Sequence, residues 1–376
     1  MKLATLSRLL FPGEVCVGKG SIERLSCLDP ARVLLVTDVV LRRTGALDRV
    51  TAQLRDAKAT KVVELTGGEP CIAGMQAARA EVSAFAPEWI VALGGGAVLD
   101  SAKFLWAQFE HPDLVLSGTM TPIGPLRQKS RFVAVPSTAG SGSEASQVAV
   151  LTGDDGTKIP YVSPDWIPDI AILDPALTLT LPQEITLATG FDALAHAVEA
   201  AVSRLGNALV RELAAIVVRM VMRHLPTALQ QAGNLAAREG MLEAAFLAGL
   251  CQSATSTGLA HALAHATSKT SRVLHGAATG FYLLLAMRWN YTRNAAVYDQ
   301  LAVSCGLADG SALIRVLTDL AARLGLPQTL AELLGRTPDT AERQELAAAA
   351  AKDVCLRTNP CRAGMKELTQ LVVEIA

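Results

Sequence analysis

Between residues 33 and 173 the chain alternates between two hydrophobic periods, and that alternation restricts its fold more than any other feature. Five short apolar runs, VLLVT (33–37), KVVEL (61–65), WIVAL (89–93), FVAV (132–135) and IAIL (170–173), are separated by helical patterns such as 73–85 and 98–108. Runs that are apolar at consecutive positions suit strands buried on both faces. Strands alternating with helices imply a parallel sheet of βαβ units. A further small strand or hairpin is expected over 11–17, where Pro12-Gly13 is the punctuation. From about Pro182 nearly everything has the helical period, as in 207–224, 236–254, 312–324 and 341–357. With 376 residues, more than one core usually serves, two domains are expected: an α/β domain over 1–180 and an all-α domain over 181–376.

Composition narrows the classes of function. The net charge is −1 and no basic run is longer than a few residues, so neither nucleic acid nor a membrane surface is an expected partner. The opening MKLATLSRLLFPGEV lacks the long apolar region and small-residue cleavage site of a signal peptide. No apolar run reaches the ~18 residues of a spanning helix. The seven cysteines are odd in number and scattered, without CxxC, which is usage of a reducing compartment. A cytoplasmic location is the expectation.

The chain has six histidines, and three of them, His261, His265 and His275, fall within fifteen residues. One alone would be a satisfied core histidine; three in an apolar stretch each need a polar partner. His261 and His265 are i, i+4 and share a helical face. On one straight helix His275 would stand roughly 21 Å from His261, too far for a shared ligand. The intervening ATSKTSRV is rich in Ser and Thr, which favour caps and turns, so a break there would bring His275 back. TGFDALAHAVEA supplies a second i, i+4 pair, Asp192 and His196. Such a pair is a recurrent way to hold a divalent metal. With His261 and His275 the set is one carboxylate and three imidazoles, which suits Fe²⁺ or Zn²⁺ better than Mg²⁺. The plain alternative is a helix-capping Asp192 and structural histidines.

The first domain offers ligand-binding loops. In IVALGGGAVLDSAK a strand runs into Gly94, Gly95 and Gly96 and then a helix, where backbone N–H groups can approach a phosphate. It is not a GxGxxG, and by itself it reads equally as a tight turn. VPSTAGSGSEAS places the hydroxyls of Ser137, Thr138, Ser141 and Ser143 at the end of another strand, where open α/β sheets bind ligands. Asp38 ends VLLVT, where a carboxylate would accept from a ribose diol and repel a 2′-phosphate. Aspartate also favours turns after strands.

Together these stretches resemble the iron-containing, or group III, alcohol dehydrogenases. The resemblance rests on GGGAVLD (94–100), PSTAGSGSE (136–144), DPALTLTLP (174–182), TGFDALAHAVEA (189–200) and the His261–His265–His275 segment ending in HG. It implies a Rossmann-like nucleotide-binding domain followed by an all-α metal-binding domain, the dehydroquinate synthase-like architecture. It implies an NAD-dependent oxidoreductase that interconverts a small primary alcohol and its aldehyde, with Fe²⁺, or alternatively Zn²⁺, as Lewis acid, in a homodimer. By position, Asp192, His196, His261 and His275 become the metal ligands, and His265 a proton carrier beside the nicotinamide. Gly95, Gly96 and Ala97 would cradle the pyrophosphate, with Asp100 in the same motif. Ser137, Thr138, Ser141 and Ser146 would line the nicotinamide half, with Lys158 near a ribose. Asp38 would meet the adenosine ribose and select NAD.

Three departures are particular to this chain. Ala97 replaces the family's serine and offers no hydroxyl. Gly68-Glu69-Pro70 stands where PNP is common, so Glu69 adds a second carboxylate against NADP. Lys269 and Arg272 lie between His265 and His275, where relatives are mostly apolar, and raise the expectation of an anionic substrate such as a carboxylated, phosphonated or sulfonated aldehyde. The bland reading is that both extend to solvent. A maleylacetate reductase-like enzyme, a non-redox cyclase of the dehydroquinate synthase type and a purely structural metal site are the competing readings.

Overall fold

The structure, a computed structural model, describes residues 8–28, 31–65, 71–116, 119, 121–153, 156–271 and 273–374. Two compact units emerge from it. The first is built on β1 (Glu14–Val17), β2 (Arg32–Asp38), β3 (Ala59–Leu65), β4 (Trp89–Gly94), β5 (Arg131–Pro136), β6 (Val148–Thr152), β7 (Lys158–Val162) and β8 (Ile170–Leu173). Its helices are α1 (Val39–Arg43), α2 (Ala46–Thr51), α3 (Gln76–Phe85) and α4 (Gly96–Glu110).

Six strands form one parallel sheet in the order β1-β8-β5-β4-β2-β3. The five apolar runs are its interior strands and β3. Alternate residues serve opposite faces: Leu34, Val36, Ile90, Ala92, Phe132 and Ala134 join the core under α3 and α4. Val33, Leu35, Val91, Leu93, Val133 and Val135 join the core with Leu47 and Val50 of α2. Burial on both faces is why these strands lack polar alternation. Residues 11–17 form no hairpin; β1 is a parallel edge strand beside β8. The antiparallel β6–β7 hairpin was not apparent in the sequence, because Pro160 interrupts its second strand.

The chain crosses from β2 outward to β3, then returns to β4 on the other side of β2. This reversal creates a switch point between β2 and β4. The register Val36–Ala92 brings Asp38 and Gly94 level there, and Gly94 in turn pairs with Pro136. Three of the loops singled out above therefore emerge together at the carboxyl edge of the sheet.

The helical unit contains α5 (Gln183–Val202), α6 (Ala208–Gln230), part of α7 (Leu235–Thr255), α8 (Leu259–Thr270), α9 (His275–Tyr291), α10 (Ala295–Ser304), α11 (Gly310–Leu324), α12 (Leu330–Leu334), α13 (Thr340–Ala350) and α14 (Met365–Glu374). One cut near residue 181 does not separate the units, since Ala232–Phe246 belongs with the sheet. In that segment the buried Arg238 donates to Ala232 O at 3.1 Å and to Leu181 O at 3.4 Å. The helical pattern over 341–357 is also interrupted. α13 stops at Ala350, and Asp353 caps a separate 3-10 turn, Val354–Arg357, by accepting from Cys355 N. By length and composition α5 could cross a membrane, but 83% of its apolar window is buried inside the protein. It is a core helix, and it carries Asp192 and His196.

Candidate metal centre and nucleotide loops

In the helical unit, three helices bring the histidines together. α8 ends at Thr270 and α9 begins at His275, so the break needed to return His275 is present. Hydroxyls prepare it: Ser268, Thr267 and Ser271 each donate to the carbonyl four residues back, an arrangement that competes with a regular helix. Gly276 makes the return close. A Cβ there would stand 2.2 Å from Ala188 O and 3.1 Å from Asp192 Cβ, so only glycine lets the start of α9 press against α5.

Asp192 Oδ1 lies 3.8 Å from His261 Nε2 and 3.9 Å from His275 Nε2. Asp192 Oδ2 lies 4.0 Å from His196 Nδ1, and the His196 and His261 ring centroids are 4.5 Å apart. These separations are too long for hydrogen bonds. The three donor–donor distances do not exceed twice a metal–ligand bond of about 2.0–2.2 Å, as expected of donors around one ion. Asp192, His261 and His275 form the tight triad, and His196 flanks it from α5.

Two carboxylates that sequence reading missed organise the histidines. Glu199 Oε2 accepts from His261 Nδ1 at 2.6 Å, while its Oε1 accepts from Ala260 N at 2.7 Å. It thus caps α8 and orients the imidazole. Because Nδ1 must donate to a carboxylate, the lone pair of His261 is on Nε2, and that buried atom has no hydrogen-bond partner. An orphaned basic nitrogen facing a carboxylate is what a divalent cation requires, and second carboxylate–histidine bonds are usual behind metal ligands. Burial alone would lower the His261 pKa, but the Glu199 bond and the charges of Glu199, Asp192 and Asp353 raise it. Thr279 donates to Asp192 Oδ1 at 2.9 Å.

His265 is arranged differently. Its Nδ1 bonds Asp353 Oδ2 at 2.8 Å, and its ring stacks on His275 at 5.3 Å between centroids. Burial works to raise the Asp353 pKa, but the bond and charge of His265 outweigh it and hold the carboxyl low. Lys269 is exposed in the last turn of α8, where a cation suits the helix dipole. Arg272 and Glu69 lie outside the described residues.

In the sheet unit, the glycine turn and the hydroxyl loop form one surface. A Cβ on Gly95 would stand 3.2 Å from Thr138 Oγ1, and one on Gly96 would stand 2.7 Å from Ser141 Oγ. Ser137 N donates to Gly94 O at 2.9 Å. Among the described residues no side chain caps the first turn of α4; Val98 N and Leu99 N donate to Gly95 O, which leaves the Gly96 and Ala97 amides available to an anion. The residues fit a dinucleotide cradle. Ser146 is buried and its hydroxyl donates to Val148 O, and Asp100 accepts from Ser143 Oγ at 2.6 Å and Val150 N at 2.9 Å. Both thus make bonds that shape the loop itself. Lys158 opens β7 opposite Thr152. Asp38 Oδ1 caps α1 through Val40 N and Leu41 N, and Arg42 in the same helix pairs with Glu64.

The family model for iron-containing alcohol dehydrogenase matches residues 12–175, and the model for the C-terminal region of that family matches residues 186–375. The chain is 31% identical over 379 residues to an NADPH-dependent butanol dehydrogenase of Clostridium saccharobutylicum, covering 97% of each. It superposes on a 1,3-propanediol oxidoreductase with a TM-score of 0.91 at 30% identity, covering 99% of this chain and 100% of that one. A sulfoacetaldehyde reductase from Bifidobacterium kashiwanohense in complex with NAD⁺ gives a TM-score of 0.88 at 26% identity, covering 99% of each.

Proposed function

This chain belongs to the iron-containing alcohol dehydrogenases, and from that premise we propose that it interconverts a small primary alcohol and its aldehyde with NAD(H). The observation that carries the reading is the convergence of Asp192, His196, His261 and His275 around the orphaned His261 Nε2. When bound, a divalent ion supplies Lewis acidity toward the substrate oxygen, and the nicotinamide supplies or accepts hydride. Asp192 contributes the negative charge of the ligand set, and Fe²⁺ is the ion we assign, with Zn²⁺ as the alternative for the same donors. Glu199 keeps the His261 proton on Nδ1. Asp353 does the same for His265, which leaves Nε2 as the nitrogen that exchanges a proton with the substrate hydroxyl. Gly95, Gly96 and Ala97 receive the pyrophosphate, and Ser137, Thr138 and Ser141 the nicotinamide half, with Lys158 near a ribose.

NAD over NADP is the finer reading, supported by Asp38 at the end of β2. Its cap on α1 has to be separated from its charge. Asp38→Ser keeps a capping oxygen and removes the carboxylate. The variant should fold normally and lose much of the preference for NADH over NADPH, measured as the ratio of kcat/KM values. A wild type that already prefers NADPH would refute this role for Asp38.

An anionic aldehyde is the narrower substrate reading, supported by Arg272 in the sequence and by the likeness to a sulfoacetaldehyde reductase. Lys269, exposed at the end of α8, and Arg272 are the two basic residues this reading rests on. The test is a panel of aldehydes with iron-reconstituted protein, scored by NADH consumption and including an ω-carboxylated aldehyde with its uncharged analogue. NADH-dependent reduction is expected across the panel, and Arg272→Ala should selectively lose the charged member by roughly 1.5–3 kcal/mol in kcat/KM. No reduction of any aldehyde overturns the oxidoreductase reading; equal effects on both members of the pair overturn only the anionic one.

We also place the protein in the cytoplasm as a homodimer. The free cysteines support the compartment, and the exposed Phe11 just before edge strand β1, with Val15 and Val17 within it, supports self-association.

A further inference from the structure

α4 carries the glycine turn at its start, and two turns later it buries a lysine completely. Lys103 is 0% exposed, and its ammonium donates to Ser143 O at 2.7 Å, Ser146 O at 2.8 Å and Val148 O at 2.9 Å. Ser146 Oγ is also 3.5 Å away. The three carbonyls belong to the end of the hydroxyl loop and to the segment that follows it. Asp100, one turn earlier on the same helix, takes the Ser143 hydroxyl and Val150 N. Burial pulls Lys103 down to about 8, opposed by the charges of Asp100 and Glu144, and three short bonds to carbonyls favour the ammonium over the amine. The mechanism makes no use of this lysine.

We propose that Lys103 is a built-in cation that positions the cofactor loop, its ammonium filling a cage of backbone carbonyls that shapes residues 143–148. Carbonyls converging in this way are also how proteins coordinate a monovalent cation. A carbonyl cage without its charge would have its dipoles facing one another, and the segment would relax away. Because α4 holds this segment through Asp100 and Lys103 and starts at Gly96, one rigid helix sets the spacing between the glycine turn and the hydroxyl loop. Lys103 is thus a positioning residue, and the proposal rests on the reading that these loops hold the two halves of NAD(H).

The test is NADH binding, followed by cofactor fluorescence on metal-loaded protein. Lys103→Met keeps the stem and removes the charge; its NADH Kd should rise at least roughly tenfold while bound metal stays at the wild-type level. Lys103→Ala empties the cage, and ammonium or methylammonium should recover part of the lost affinity, whereas tetramethylammonium at equal ionic strength should not. A purely structural lysine predicts lower thermal stability without cation-selective rescue. Wild-type NADH affinity in Lys103→Met, or an Ala variant whose affinity or folding ignores the cation, overturns the clamp. Failure of the wild type to bind NADH would instead overturn the cofactor reading beneath it.

Discussion

His275→Ala is expected to give a folded protein that retains little metal and turns over at least roughly a thousandfold more slowly than the wild type. Removal of one imidazole from a four-donor set weakens binding of the ion. The Lewis acid it supplies is worth several kcal/mol in the transition state. Folding should survive because His275 stands at the first position of α9 and is only half-buried, and alanine is a good helix former. His196→Ala, in the middle of buried α5, should lose metal similarly and more stability. Metal content by elemental analysis and NADH affinity by fluorescence separate the effects. NADH should still bind, because every loop assigned to it belongs to the sheet unit. Wild-type metal content in His275→Ala would remove that residue from the ligand set.

The second large effect concerns a residue that touches no substrate. Glu199→Gln leaves a side-chain carbonyl to accept from Ala260 N, so the start of α8 keeps its cap. The amide NH₂ then faces His261 Nδ1 and cannot accept a hydrogen bond from it. The imidazole must change tautomer, which puts a proton on Nε2, the nitrogen turned toward Asp192. Metal affinity, measured by chelator competition, should fall roughly 10- to 100-fold, the usual cost of losing a partner behind a ligand. The apoprotein's thermal stability should change far less. Unchanged affinity in a folded Gln variant would make Glu199 a helix cap and nothing more.

These two variants also mark the limits of reading the site from sequence. Asp192 and His196 were visible because i, i+4 spacing is a property of any helix. Glu199 had the same kind of signal, three residues after His196 on the face of α5. Its residue type hides it, because glutamate on a helix is ordinarily a solvated residue. Asp353 had no local signal, being 88 residues from His265 and beyond the break that ends α13. Lys103 was hidden more deeply, since a lysine two turns into a helix is ordinarily expected at the surface. Only the path of residues 143–148 gives it a reason to be buried.

Local chemistry was enough for the elements themselves. Runs such as 89–93 are apolar at every position, and a strand between two packed layers is a stable home for that pattern. The need for His275 to return was likewise implied by a hydroxyl-rich interruption between two helical patterns. What tertiary structure alone decided is which polar atoms meet. Asp192 lies beside His275 because Gly276 lets α9 approach α5, and Glu199 reaches His261 because Gly258 lets the start of α8 approach that carboxylate, each closer than a side chain would permit. A Cβ on Gly258 would stand 3.0 Å from Glu199 Oε1. A sequence records the glycine but not the neighbour it admits, because that neighbour is fixed by packing between segments far apart in the chain.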